Sequence, residues 1–79
     1  MNDFDGQEIK SLWLDHAKII LNEIQKENLT VSQVSSYTGI HIQQIYGYKD
    51  ERRDINKARL ETLMKFENAF QKLYKQNKN

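Results

Sequence analysis

Few side chains in this sequence stand at spacings that could do covalent chemistry. His16 and His41 lie 25 positions apart, and neither has an acidic or histidine neighbour at the spacing a metal site needs. His16 borders an apolar helical stripe and reads as a partly buried structural imidazole. Asp50 and Glu51 are adjacent in a charged stretch, where carboxylates normally just solvate. Cysteine is absent, which excludes disulfides, thiolate zinc sites and a cysteine nucleophile. Gly47-Tyr48-Lys49 does not resemble a phosphate-binding glycine loop. The sequence therefore predicts no enzyme, no metal site and no cofactor. What remains is recognition. Gln43 and Gln44 stand together in the first turn of a short amphipathic stretch, and a glutamine carboxamide carries the paired donor and acceptor that match adenine in the major groove. Ile42 beside them could meet a thymine methyl, and Tyr46 follows a turn later.

Such side chains need a rigid helix to hold them, and the surrounding residues supply its boundaries. Thr30 is a good N-cap for a short helix beginning at Val31. Val34 and Tyr37 fall on one face of that helix. Gly39 stands where the chain must turn sharply and a residue without Cβ takes positive φ at little cost. Ile40 can plug the corner into a core. His41 marks the start of a second helix, with Ile45 and Tyr48 as its inward stripe and Ile42, Gln43, Gln44 and Tyr46 pointing mostly outward. The motif spans about residues 30–48.

The residues Thr30, Val34, Ser35, Gly39, Ile40 and Ile45 resemble the pattern of the Xre/Cro, lambda-repressor-like helix-turn-helix family. That pattern is a capped short helix, a hydrophobic–small pair, a turn glycine followed by an aliphatic, and an aliphatic five positions later. The likeness is strong from Leu29 to Lys49 and looser from Leu12 to Phe70. It implies a compact helical bundle whose second motif helix docks in the major groove of double-stranded DNA. It further implies that Gln43 reaches a base edge and that Gln33 touches the DNA backbone. Ser32 and Gln33 would sit where helix N–H groups attract phosphate. Lys49, Arg52, Arg53 and Lys57 flank the end of the reading helix and could grip phosphates, whereas Lys72, Lys75 and Lys78 lie far along the last helix and serve solubility. Two positions depart from the family pattern. Ile42 stands where polar residues are usual, and Gly47 stands where a side chain is usual, weakening the helix but allowing close approach to a sugar-phosphate backbone. One such helix reads only a few base pairs, so a homodimer on two half-sites is expected.

Composition sets the outer bounds. The chain has 79 residues, 38% of them hydrophobic, with one Trp, four Tyr and three Phe. That suits one small domain over residues 1–79 and one core, not an enclosed catalytic cavity. Three glycines and no proline predict mostly continuous helix. Residues 1–28 carry six acids and three bases (−3), and residues 29–79 carry nine bases and five acids (+4), so the motif lies in the basic half of a chain of net charge +1. The first ten residues are acidic and lack an apolar core, so no signal peptide is expected there. No apolar run is long enough to span a membrane, and a cytoplasmic location is expected.

The periodicity predicts an all-α, compact four-helix domain with a helix-turn-helix and long first and last helices. Asp3 or Asp5 caps the first helix, which runs from about Gln7 to about Glu27 with Asn28 as C-cap. Trp13, Leu14, Ala17, Ile20, Leu21 and Ile24 form its stripe, and Ile9 and Leu12 extend it. Residues 7–13 make this helix longer than that of a minimal family member, and could cover the last helix or meet a partner. The run KDERRD after Tyr48 reads as a loop. Asn56, ahead of Asp54, caps a last helix from about Lys57 to about Tyr74, with Leu60, Leu63, Phe66, Phe70 and Leu73 inward. Residues 1–6 and 75–79 are expected to fray. The function expected is a sequence-specific DNA-binding transcriptional regulator, a repressor of the kind common in phages, plasmids and other mobile elements. The rival is a protein-interaction module on the same fold, an antitoxin or inhibitor, meeting a protein partner through Ile42, Tyr46 and Tyr48. A third reading is an accessory subunit of a larger nucleic-acid machine, with DNA binding that is weak and indifferent to sequence.

Overall fold

A computed structural model describes residues 3–74, with side-chain surroundings from residue 8 onward. The elements are α1 (Asp3–Gln25), α2 (Val31–Thr38), α3 (Ile42–Lys49), a 3₁₀ turn (Ile55–Lys57) and α4 (Leu60–Tyr74). The protein is all-helical, as the periodicity predicts, and no strand occurs among the described residues. No helix among them is long and apolar enough to cross a membrane.

α1 starts at Asp3, not near Gln7, so Asp5 lies inside the helix instead of capping it and residues 3–6 are helical instead of frayed. Acidic residues in a first turn favour a helix through its dipole, a signal that apolar periodicity does not carry. Fraying of residues 1–2 and 75–79, and the roles of Lys75 and Lys78, fall outside the described residues. At its other end α1 stops at Gln25, and Asn28 is not the cap. Glu27 takes the left-handed conformation (φ 66°). Its N–H donates to the Ile24 carbonyl at 3.0 Å, and the Asn28 N–H donates to that of Glu23 at 2.9 Å. This is a Schellman closure with glutamate where glycine is usual. Asn28 adds a side-chain bond from Nδ2 to the Glu23 carboxylate at 2.8 Å.

The core gathers Ala17, Ile20, Leu21 and Ile24 of α1, Val31 and Val34 of α2, Ile40 at the corner, Ile45 and Tyr48 of α3, Ala58, and Leu63, Phe66 and Ala69 of α4. Each large side chain so buried contributes roughly 1.5–3 kcal/mol, more than a cap at about 1 kcal/mol, so the core holds the fold and the caps set its boundaries. The 3.6-residue stripe predicted most of these positions but misplaced its ends. Leu60 is half-exposed, as are Ile9 and Leu12. Tyr37 is exposed too, and Thr38 is the buried residue at that end of α2. The Thr38 hydroxyl donates to the Val34 carbonyl at 2.8 Å and accepts from the Ile40 N–H at 3.0 Å, so it ties the corner to α2.

α4 starts at Leu60, not at Lys57. Asp54, not Asn56, is the capping residue, and it caps the 3₁₀ turn: its Oδ1 accepts from the Asn56 N–H and from Asn56 Nδ2, both at 3.0 Å. Those two bonds hold the Asp54 carboxyl below its ordinary pKa. Ala58 then adopts extended backbone and drops into the core, which keeps the 3₁₀ turn and α4 apart.

α1 packs mainly on α4, and α2 and α3 lie against the other side of this pair. At the centre of the α1–α4 contact, His16 Nδ1 lies 2.6 Å from Glu67 Oε1, and Gln71 Nε2 donates to Glu67 Oε2 at 2.6 Å. The imidazole stacks on the Phe70 ring, with centroids 3.8 Å apart and planes 6° from parallel. His16 is thus a structural imidazole, bonded to a nearly buried carboxylate whose two oxygens are both satisfied. Further along both helices, burial first and the Glu23 carboxylate second raise the Tyr74 phenol above its ordinary pKa. His16 with Glu67 and then Glu23 with Tyr74 show that α1 and α4 run in the same sense.

Candidate nucleic-acid interface

α2 and α3 are joined by Gly39, Ile40 and His41. Gly39 has φ 79°, and its N–H caps the helix on the Ser35 carbonyl at 2.8 Å. A Cβ there would meet nothing within 4 Å, so the left-handed backbone, not space, calls for glycine. Ser35 closes the corner from the other side, its hydroxyl donating to the Ile40 carbonyl at 2.7 Å. These bonds fix the angle at which α3 is presented.

Thr30 caps α2 as its type predicts. Its hydroxyl accepts from the Gln33 N–H at 3.0 Å, and the Gln33 side-chain oxygen accepts from the Thr30 N–H at 2.9 Å. Gln33, expected at a phosphate, therefore has its carbonyl oxygen engaged in a capping box, with the amide nitrogen left as its donor. Ser32 stands exposed in the same first turn.

α3 is fastened at both ends. His41 Nδ1 accepts from the Gln43 N–H at 3.1 Å. At the C-terminus Glu51 takes φ 64°. Its N–H donates to the Tyr48 carbonyl at 3.2 Å, and the Arg52 N–H donates to Gly47 at 2.9 Å. This repeats the closure that ends α1. Inward, Tyr48 is buried and meets Phe66 edge-on, with centroids 6.1 Å apart.

The four expected base readers do not share one face. Gln43 and Tyr46 are exposed and three residues apart, hence neighbours on the helix surface. Ile42 is half-buried and packs against the core, so the apolar residue at a usually polar position is a packing residue. Gln44 is half-buried, with Nε2 3.5 Å from the Tyr48 hydroxyl. Asp50, four residues beyond Tyr46, completes the outer row. Composition alone gave no reason to place this acid there, since its position follows only from where α3 ends.

Arg52 and Lys49 both lean on Asp50, at 3.3 and 3.7 Å. Lys49 is further held by its carbonyl, which accepts from Gln25 Nε2 of α1 at 2.6 Å. Arg53 behaves differently. Gly47 is buried, and a Cβ on it would lie 3.0 Å from Arg53 Cδ and 3.2 Å from Cγ. The missing side chain at Gly47 thus admits the Arg53 stem, not a DNA backbone, and Arg53 lies across the flank of α3 with its residue exposed. Lys57 is exposed on the 3₁₀ turn. A cleft of about 520 Å³ separates α1 from the 49–56 segment, its walls including Lys18, Asn22, Arg53 and Asp54. Among the described residues no group of three or more His, Asp or Glu is placed to hold a metal ion.

Comparisons of the chain with models of known protein families, with curated proteins and with solved structures found no match.

Proposed function

We propose that this protein is a non-catalytic, sequence-specific DNA-binding regulator of the Xre/Cro kind, a cytoplasmic repressor that acts as a homodimer by occupying operator DNA. The observation that carries this reading is α3 itself. It is a short helix fixed by a glycine corner and bonded at both ends, with Gln43 and Tyr46 in water and Arg52 and Arg53 beside its C-terminus. A helix with its side chains is about 10–12 Å across, which fits a major groove about 12 Å wide. Gln43 is the base reader, Tyr46 its neighbour, and Arg53 the main phosphate contact. Asp50 orients the two basic side chains that touch it and can accept from a cytosine amine. The rival protein-binding reading needs Ile42, Tyr46 and Tyr48 together at the surface, and of these Ile42 packs inward and Tyr48 is buried.

Selection of bound duplexes from a random pool, at low and near-physiological salt, tests this. A short motif recovered at both salts supports the reading. With that motif, Gln43→Ala should cost about 1–3 kcal/mol and relax the preference at one base pair, whereas Arg53→Ala should weaken all sequences alike and lower the salt slope by about 1. No enrichment, or binding that vanishes as salt rises, overturns it.

A further inference from the structure

Six of the large apolar side chains left in water are Ile9, Leu12 and Ile19 on α1 and Leu60, Met64 and Tyr74 on α4, each 42–50% exposed. Their spacing is not random. On α1, Ile9, Leu12, His16 and Ile19 follow steps of three and four, which places them on one shoulder of the helix. On α4, Leu60, Met64, Glu67, Gln71 and Tyr74 do the same. His16 bonds to Glu67 and Glu67 to Gln71, so the two shoulders meet along that polar seam. Leu63, Phe66 and Ala69 point from α4 into the core shared with α2 and α3, so the shoulders form the opposite, outer face of the α1–α4 pair.

We propose that this outer face is where a second copy of the chain packs. Three observations favour a copy of itself. The first is area. A patch on the order of 500 Å² lies within the range of the largest apolar patch on a single chain, and used twice about a two-fold it removes about 1,000 Å², the lower bound of a specific interface. The second is α1, whose residues 8–12 are all exposed. Lys10 lies on the side that faces the core further along, so these turns run past the body of their own chain and can reach another. The third is charge. Glu8 and Asp15 rim the face on α1, while Lys65 and Lys72, with Glu61, rim it on α4. A two-fold that lays α1 of one copy over α4 of the other sets acids against lysines. Desolvating the seam leaves no carboxylate oxygen of Glu67 unpaired, because both are already bonded.

The proposal names the surface behind the dimer proposed above and rests on that part of the reading, not on DNA binding. Sedimentation equilibrium of the full chain at tens of micromolar tests it. The expected result is a dimer for the wild type and for Tyr37→Ser, whose site is exposed away from the face. The double variant Leu12→Glu/Met64→Glu should be monomeric, with dimer affinity reduced at least ten-fold and helical circular dichroism retained. Leu60→Lys alone should weaken the dimer several-fold, which keeps the test decisive if the double variant unfolds. A wild type that stays monomeric overturns both the dimer and this surface, while leaving DNA recognition to the duplex selection. A wild-type dimer unaffected by these substitutions overturns the surface alone.

Discussion

Glu27 and Glu51 show how single residues set helix lengths in this chain. Both occupy the left-handed position after a helix, at φ 66° and 64°, where an L side chain costs roughly 1–2 kcal/mol and glycine does not. Glycine loses more chain entropy on folding, by roughly 0.5–1 kcal/mol, so the net benefit of replacement is smaller than the strain it removes. Glu27→Gly should therefore stabilise the protein by about 0.5–1 kcal/mol, raising Tm by several degrees in a chain of this size, as read by thermal denaturation. Glu27 suits this test better than Glu51, because Glu51 closes the end of α3 itself. At this scale the sequence was partly legible. Thr30, Gly39 and Ile40 behave as their types predict. Asn28 and Asn56 do not, because each is drawn into a local bond with a neighbouring acid, Glu23 and Asp54, that preference by residue type does not foresee.

Among the elements, α3 is the one whose chemistry differs most from its sequence reading. The stripe Ile45 and Tyr48 was visible from spacing, yet spacing could not separate Gln43 from Gln44 or foresee that Ile42 packs inward. Those outcomes depend on where α1 and α4 lie, which is tertiary information. Gly47 is the clearest case. Glycine inside a helix costs about 1 kcal/mol relative to alanine, and the structure gives its use as room for the Arg53 stem. Gly47→Ala sets these effects against each other. Arg53 is exposed and its side chain can yield, so the helix gain should win and urea denaturation should show a protein equally stable or up to about 1 kcal/mol more stable. The displaced Arg53 should lower affinity for the selected duplex several-fold, measured by fluorescence anisotropy. Unchanged affinity would mean that Arg53 does not contact DNA from its observed position.

For the whole molecule, the four-helix plan and most of the core followed from periodicity, while the ends of α1 and the start of α4 did not, because a first-turn dipole, a left-handed closure, a 3₁₀ turn and a buried Ala58 fixed them. The outer α1–α4 face has a further consequence at this scale. Self-association through it leaves α2 and α3 on the far side of each copy, so the two reading helices point away from one another. Resemblance alone implied two half-sites on one duplex. A back-to-back pair instead selects a single short half-site and holds two duplexes at once. With one duplex immobilised and a second labelled, the wild type should retain the label and Leu12→Glu/Met64→Glu should not. Recovery of an inverted repeat with half-sites about one helical turn apart would point to a different dimer.

The double fastening of α3, by His41 at its start and the Glu51 closure at its end, also shapes the thermodynamics of any encounter. A segment that is already helical has no folding transition left to couple to association. The heat-capacity change should then reflect only the surface covered, without the large extra decrement of coupled folding. Association should also avoid the delay of a slow ordering step. On the proposed reading, recognition would be rigid docking by a helix already formed in the free state.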